Sequence, residues 1–350
     1  MATTVLRSVK TLAESADFSS SIPSTHAFYT TSNDLASSKE DEDSIPIIDF
    51  SLLTSTNPDE RSKAIQLLGK ACEDWGFFLL VNHGVDTDAI IEAAKKFFDL
   101  TDEEKTEFKG KHALDTIIYG TSFNTSESLE KVFFWRDFIK TVAHPAFHCP
   151  NKPSGFSQAV NEYTKELRRL TDELLKAVSE SLGLEPLYAH KAMNMGSTFQ
   201  QFAANFYPPC PNPENAIGLP AHSDQGLLTF LIQNGINGLQ IYHNDKWVSV
   251  DANINAFSVN TGDQMEIMTN GKYKSVIHRA LVNNKTTRIS VASPCGPSLD
   301  TVVNPAPELV SKTNPAAYSG MKYQEYLGLK YSNKTGGKTS LDHVRINFNN

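Results

Sequence analysis

His222 and Asp224 stand two residues apart in the stretch Gly218-Leu219-Pro220-Ala221-His222-Ser223-Asp224-Gln225-Gly226, and His278 follows much later in the chain. In an extended strand, residues i and i+2 share a face, so His222 and Asp224 aim at one spot. A later strand carrying His278 can lie beside them. Two imidazoles and one carboxylate on one side of a metal leave three positions open. That arrangement suits a non-haem Fe(II) site, where dioxygen and a bidentate co-substrate must both reach the metal. A His-x-Asp pair alone is common by chance and is usually a satisfied surface or core pair, so the signal lies in its company. Ten residues after His278 comes Arg288-Ile289-Ser290. A guanidinium is a planar fork that matches a carboxylate, and Ser290 faces the same way two residues on. Ile289 and Val291 alternate with this polar pair, which therefore occupies one face of a strand. On the inner face of a barrel that arginine needs an anionic partner, because a buried unpaired charge is costly. These positions read as an iron site beside a site for the distal carboxylate of a dicarboxylic keto acid.

The elements that must position them lie mostly after Thr198. Short segments rich in β-branched and aromatic residues read as strands near 200–207, 228–233, 239–242, 247–250, 257–260, 264–268, 275–283 and 287–293, with Asn234-Gly235, Asn237-Gly238 and Asn270-Gly271 as turn signals. About eight such strands suggest a jelly roll or similar barrel. Before them, Ile45-Pro46-Ile47-Ile48-Asp49-Phe50 and Phe77-Phe78-Leu79-Leu80-Val81 read as strands. Helical spacing runs through 59–75, with Ala64, Leu67, Leu68, Ala71, Cys72 and Trp75 on one side, and again through 87–100 and 155–182. Thr101 to Glu104 reads as a capping box, and Pro186 can begin a short helix to about Met193. Residues 109–152 read as irregular but aromatic. Residues 1–44 read as a flexible arm with a short helix near Val9 to Ser15, and 315–329 as a C-terminal helix followed by a polar tail. The expected division is 1–44, a mainly helical region at 45–197, a catalytic jelly roll at 198–300, and a tail at 301–350.

The totals narrow the function. With 32 Lys+Arg against 40 Asp+Glu, the net charge is −8 and no basic run appears, which argues against nucleic acid as a partner. No stretch approaches the ~20 apolar residues of a membrane span, so a cytoplasmic setting without membrane contact is expected. Cys72, Cys149, Cys210 and Cys295 are scattered, and none forms a CxxC pair, which fits a reduced compartment. A monomer is expected.

The chain resembles the plant-type 2-oxoglutarate- and Fe(II)-dependent dioxygenases of the isopenicillin N synthase-like group. The resemblance rests on Ile45-Pro46-Ile47-Ile48-Asp49, Trp75-Gly76-Phe77-Phe78, Val81-Asn82-His83-Gly84, Asn205-Phe206-Tyr207-Pro208-Pro209-Cys210-Pro211, His222-Ser223-Asp224, Asn260-Thr261-Gly262-Asp263, Tyr273 to Arg279, and Arg288-Ile289-Ser290. It implies an α+β fold, a double-stranded β-helix (jelly-roll) core flanked by helices. It implies Fe(II) and 2-oxoglutarate, with ascorbate supporting activity, and cleavage of 2-oxoglutarate to succinate and carbon dioxide coupled to oxidation of a small-molecule substrate by O2. Carried over position by position, His222, Asp224 and His278 match the iron ligands, Arg288 and Ser290 the keto-acid clamp, and Tyr207 and Asn205 further contacts to that co-substrate. His83 and Asp263 match structural positions. Ser223 stands where threonine is frequent, and its side chain should point away from the metal.

For the prime substrate, Gly120 to Asn124 and Val132 to Phe138 resemble a specialised-metabolism subgroup similar to steroidal-alkaloid hydroxylases. A bulky, mostly apolar metabolite of steroidal-alkaloid, terpenoid or phenolic type is therefore expected to be hydroxylated. Tyr119, Phe123, Phe134 and Phe138 are candidates to line its pocket, as is Cys295, where many relatives carry a bulkier or acidic residue. The alternatives are a gibberellin, auxin or flavonoid oxidase, oxidase chemistry without 2-oxoglutarate, and a non-catalytic ligand-binding barrel. The last would normally have lost a metal ligand or the arginine, and this chain keeps both.

Overall fold

The computed structural model describes residues 7–16, 20–28, 44–110, 112, 115–121, 133–253, 255–332 and 338–346. In chain order these form α1 (Val9–Glu14), β1 (Ile47–Asp49), α2 (Phe50–Leu53), α3 (Pro58–Asp74), β2 (Phe77–Val81), α4 (Asp88–Phe98), α5 (Asp102–Thr106), β3 (Ile117–Thr121), β4 (Asp137–His144), α6 (Phe156–Ser181) and α7 (Tyr188–Ala192). They continue with β5 (Phe199–Tyr207), β6 (Leu219–His222), β7 (Leu228–Gln233), β8 (Leu239–His243), β9 (Lys246–Ser249), β10 (Phe257–Thr261), α8 (Asp263–Met268), β11 (His278–Ala280), β12 (Arg288–Gly296), β13 (Val302–Val303), β14 (Met321–Lys322), α9 (Tyr323–Ser332) and α10 (Thr339–Val344). Among the described residues no helix is long and apolar enough to cross a membrane.

Two sheets carry the architecture. The larger runs β1-β2-β10-β7-β12-β5-β4-β3 and the smaller β6-β11-β8-β9. The set β10-β7-β12-β5 and the smaller sheet together make the two faces of the jelly roll. The outer face of the larger sheet is covered by α6, whose Tyr163, Leu167, Leu170, Leu174, Leu175 and Val178 are all buried at the expected helical spacing. β5 and β12 keep strict antiparallel register from Arg288↔Tyr207 to Gly296↔Phe199. Alternation therefore sends Phe202, Ala204 and Val291 to the helices, and Asn205, Tyr207, Arg288 and Ser290 inward.

Several local expectations change. The stretch 109–152 contains two paired strands, β3 and β4, with β4 also joined to β5. Seven of the eight β4 residues are buried, Lys140 and Thr141 among them, so the strand shows no apolar–polar alternation in sequence. Residues 264–268 are helical, not extended. All six residues of α8 are buried, and uniform burial removes the periodicity that separates a helix from a strand. Pairing around His278 covers only three residues. The C-terminal helix begins at Tyr323, later than expected, and α10 follows it. On α3 Leu67 is 58% exposed, while Ile65 joins Ala64, Leu68 and Ala71 in the core. The N-terminal segment is docked: Val9, Leu12 and Ala13 pack with Trp135, Cys210 and Ala216.

The C-terminal segment is fastened through Glu266. Its carboxylate accepts from the Ser275 N–H at 2.7 Å, Tyr318 Oη at 2.7 Å and Lys338 Nζ at 2.9 Å. Burial alone would raise this carboxyl, but Lys338, Tyr318 and Ser275 outweigh it and hold it below the ordinary glutamate range. A depressed native value makes the contribution full above the unfolded range and lost as pH falls through the native value. Glu266→Gln is expected to cost about 2 kcal/mol at neutral pH. Urea unfolding across a pH series should show that gap narrowing below about pH 4.

Candidate active site

β6 ends at His222, and its antiparallel pairing with β11 sets His222 directly opposite His278. The two ring centroids are 4.2 Å apart. Asp224 lies just past the end of β6, and its Oδ1 is 3.7 Å from Nε2 of each histidine. The ligand atoms of all three residues lie within 4.8 Å of one another. Each histidine turns its other nitrogen to a carbonyl: Nδ1 of His222 to Pro220 O at 2.8 Å, and Nδ1 of His278 to Val276 O at 3.3 Å. A carbonyl only accepts, so Nδ1 carries the proton and each Nε2 lone pair is left for the centre. Asp224 Oδ2 accepts from Asn260 Nδ2 at 2.9 Å, which leaves Oδ1 for the same point.

Electrostatics favours the ligand protonation states. Burial pulls His222 below its ordinary value, and neighbouring His278 adds to that. Burial opposes ionisation of Asp224, but the two imidazoles and Asn260 outweigh it and keep the carboxyl low. The resulting set of two imidazoles and one carboxylate, with no thiolate, fits a divalent iron ion. Ser223 turns the other way. Its Oγ accepts from Lys330 Nζ at 2.9 Å, and Lys330 also pairs with Asp263 at 3.0 Å. Asp263 accepts from Ser275 and Tyr326 as well, and its N–H donates to the Asp224 carbonyl. It is a buried tie beneath the ligand loop.

Beside this cluster, the register of β5 and β12 places Arg288 opposite Tyr207 and Ser290 opposite Asn205. The Arg288 guanidinium lies over the Tyr207 ring at 4.8 Å, its Nε donates to Gln233 Oε1 at 2.9 Å, and Asn205 Nδ2 donates to Ser290 Oγ at 3.4 Å. Arg288 is 1% exposed. Among the described residues no ion pair reaches it, and its Nη1 is buried without a hydrogen bond. Burial pulls this guanidinium down, and Tyr207 offsets only part of that. A buried donor fork flanked by neutral groups fits a carboxylate ligand. Two glycines make room: a Cβ at Gly218 would meet the Tyr207 ring at 2.7 Å, and one at Gly238 would meet Arg288 Cδ at 2.8 Å.

The pocket-lining expectations divide. Phe138 pairs with Asn205, shares its face and lies 4.9 Å beneath the Arg136 guanidinium. Tyr119 instead belongs to the helical core, against Phe97 and below Lys105. Cys295 is on the face of β12 opposite Arg288 and Ser290, where Thr171 of α6 donates to its Sγ at 3.5 Å; alternation along β12 takes it away from the site. Phe134 is half-buried on the segment before β4. Phe123 lies outside the described residues. His83 is buried, its Nδ1 accepting from Val85 N–H, away from the cluster. His243 is half-buried and stacks on Trp75 with centroids 3.7 Å apart. Sequence reasoning missed Gln233 and Asn260, which orient Arg288 and Asp224, and Arg136, which donates to Asn205. Asn260 and Arg136 lie in motifs already singled out, but only the fold shows what they touch.

Residues 45–166 match a family described as the non-haem dioxygenase in morphine synthesis N-terminal region, and residues 198–297 the 2OG-Fe(II) oxygenase superfamily. The rice protein 2-oxoglutarate-dependent dioxygenase 19 is 44% identical over 306 residues, covering 86% of this chain and 90% of the rice protein. This chain is a 2-oxoglutarate- and Fe(II)-dependent oxygenase. Rice flavanone 3-dioxygenase 2 is 37% identical to it, covering 81% of this chain and 82% of the relative. The solved structure of JOX2 in complex with 2OG, Fe and JA superposes on the oxygenase with a TM-score of 0.87 at 30% identity, covering 98% of both chains. The rice dioxygenase for auxin oxidation shares the fold, with a TM-score of 0.71 at 22% identity, covering 87% of this chain and all of that one.

Replacing His278 with alanine is expected to abolish retention of Mn(II) after dialysis. His83→Ala should retain the metal at the wild-type level, because His83 packs against Phe257 and not in the cluster. Metal analysis of both dialysed variants checks this.

Proposed function

We propose that this oxygenase hydroxylates a bulky, mostly apolar plant specialised metabolite of steroidal-alkaloid, terpenoid or phenolic type. The observation that carries the substrate class is a pair of aromatic rings on the Asn205 side of β4, Phe138 with the Arg136 guanidinium over it at 4.9 Å and Tyr331 of α9 with Lys140 Nζ over it at 4.5 Å. A flat or fused-ring substrate matches such aromatic neighbours. The name of the flavanone-acting rice relative supports the phenolic member of this class.

In this reading His222, Asp224 and His278 hold Fe(II), and Arg288, Ser290, Tyr207 and Asn205 hold 2-oxoglutarate. Bound iron and 2-oxoglutarate supply the oxidation: dioxygen is split, one oxygen atom leaving in succinate as carbon dioxide is released and the other entering the product. The residues contribute geometry. His222, Asp224 and His278 would hold the metal from the side of the β6 and β11 strand ends. Arg288 would neutralise the far carboxylate of the keto acid and so orient the co-substrate. The buried walls keep water from the oxidising centre. Ascorbate supports activity by keeping the iron reduced. The enzyme works as a cytoplasmic monomer on a free small molecule, without nucleic acid or membrane. The net charge of −8 and the free thiols of Cys72, Cys149, Cys210 and Cys295 are in keeping with that.

The test is incubation with Fe(II), ascorbate, 2-oxoglutarate and fractionated plant metabolites, reading succinate and product mass. A fraction of apolar ring compounds should stimulate succinate and yield a product one oxygen heavier. Activity confined to gibberellin or auxin fractions would replace the proposed substrate class. Failure of every fraction would count against catalysis. With an active substrate, Arg288→Gln should raise the KM for 2-oxoglutarate about 100-fold, the loss of a charge-assisted pair of hydrogen bonds, while bound iron stays unchanged.

A further inference from the structure

Arg136 lies one residue before β4 and is 3% exposed. Its backbone is pinned on both sides. Trp135 donates its N–H to Ile217 O at 2.9 Å and its indole Nε1 to Pro208 O at 3.1 Å. The Asp137 carboxylate accepts the N–H groups of Val9 and Lys10, each at 2.9 Å. The guanidinium is thereby aimed inward, over Phe138, with Nη1 donating to Asn205 Oδ1 at 3.1 Å. A guanidinium has donors only. Asn205 must therefore turn its carbonyl oxygen to Arg136, which leaves its NH2 group facing Ser290 Oγ and the inner cavity. Asn205 is thus set as a donor toward the strand face that carries Ser290 and Arg288, the polarity a carboxylate requires.

We infer that Arg136 is a positioning residue for 2-oxoglutarate, acting through the amide orientation of Asn205. The inference rests on the reading of Asn205, Tyr207, Arg288 and Ser290 as the keto-acid site. Burial pulls the Arg136 guanidinium down while Tyr207 and Asp137 support its charge, so its role depends on those contacts being kept. The segment from Val9 to Lys10 is part of the same device, because it anchors the residue next to Arg136.

The experiment is calorimetric titration of 2-oxoglutarate into the full-length Mn(II)-loaded protein, where binding is read without turnover. Arg136→Met should weaken binding about tenfold, the loss of one hydrogen-bonded charge, with Mn(II) affinity unchanged. In an Asn205→Ala background the same substitution should weaken it by no more than about twofold, because its intermediary is gone. Arg136→Lys, which keeps the charge and one donor, should fall between wild type and Arg136→Met, and it carries the same cycle if the methionine variant does not fold. Equal losses in both backgrounds would overturn action through Asn205, as would wild-type binding by Arg136→Met. A wild-type protein that binds no 2-oxoglutarate would instead overturn the keto-acid reading itself.

Discussion

The pairing of β6 with β11 is the constraint on which the site depends. It is a short contact, and it shifts register between His278 and Ala280. Yet it alone sets two histidines from distant parts of the sequence face to face. Asp224 completes the cluster because the chain stays extended past His222, so that Ser223 turns away to Lys330 and Asp224 turns back. The rest of the smaller sheet holds β11 from the other side, with His278 opposite Ile241 of β8. Nothing in this arrangement needs the metal to bring the ligands together, and each histidine's tautomer is fixed by a backbone carbonyl.

A second constraint is a charge. Arg288 sits where water does not reach it, and its neighbours are neutral. Such an arrangement costs stability unless an anion completes it. The structure around it is shaped for that outcome. Gly218 and Gly238 remove side chains that would collide with Tyr207 and Arg288, Gln233 fixes the guanidinium, and α6 seals the outer face of the same strands. In the proposed reading, the cost of burying the cation is linked to binding an anionic co-substrate.

The residues that the fold brings together in the candidate site are legible in the sequence because their signals are local. His222 with Asp224, and Arg288 with Ser290, follow from two-residue alternation along extended chain. Most strands and the long helix α6 were legible from periodicity. What was not legible lacked either signal. β4 is buried on both faces and carries Lys140 and Asp137, so it reads as irregular. α8 is buried all round and reads as a strand. Cys295 reads as a pocket candidate in sequence, but its side depends on the register of a nine-residue strand. Tyr119 is aromatic near the pocket in sequence yet packs beneath α4. Arg136, Asn260 and Gln233 act only through partners brought in from other strands, and no spacing within one segment reports that.

The central claim is that two strand ends and one extended loop make a single metal site next to a buried guanidinium that takes the keto acid. A crystal structure of the protein grown with Mn(II) and 2-oxoglutarate tests it most directly. The account predicts one metal ion bound by His222 Nε2, Asp224 Oδ1 and His278 Nε2, with the far carboxylate of 2-oxoglutarate on Arg288 and Ser290. A metal held elsewhere, or a keto acid whose far carboxylate does not touch Arg288, would contradict it.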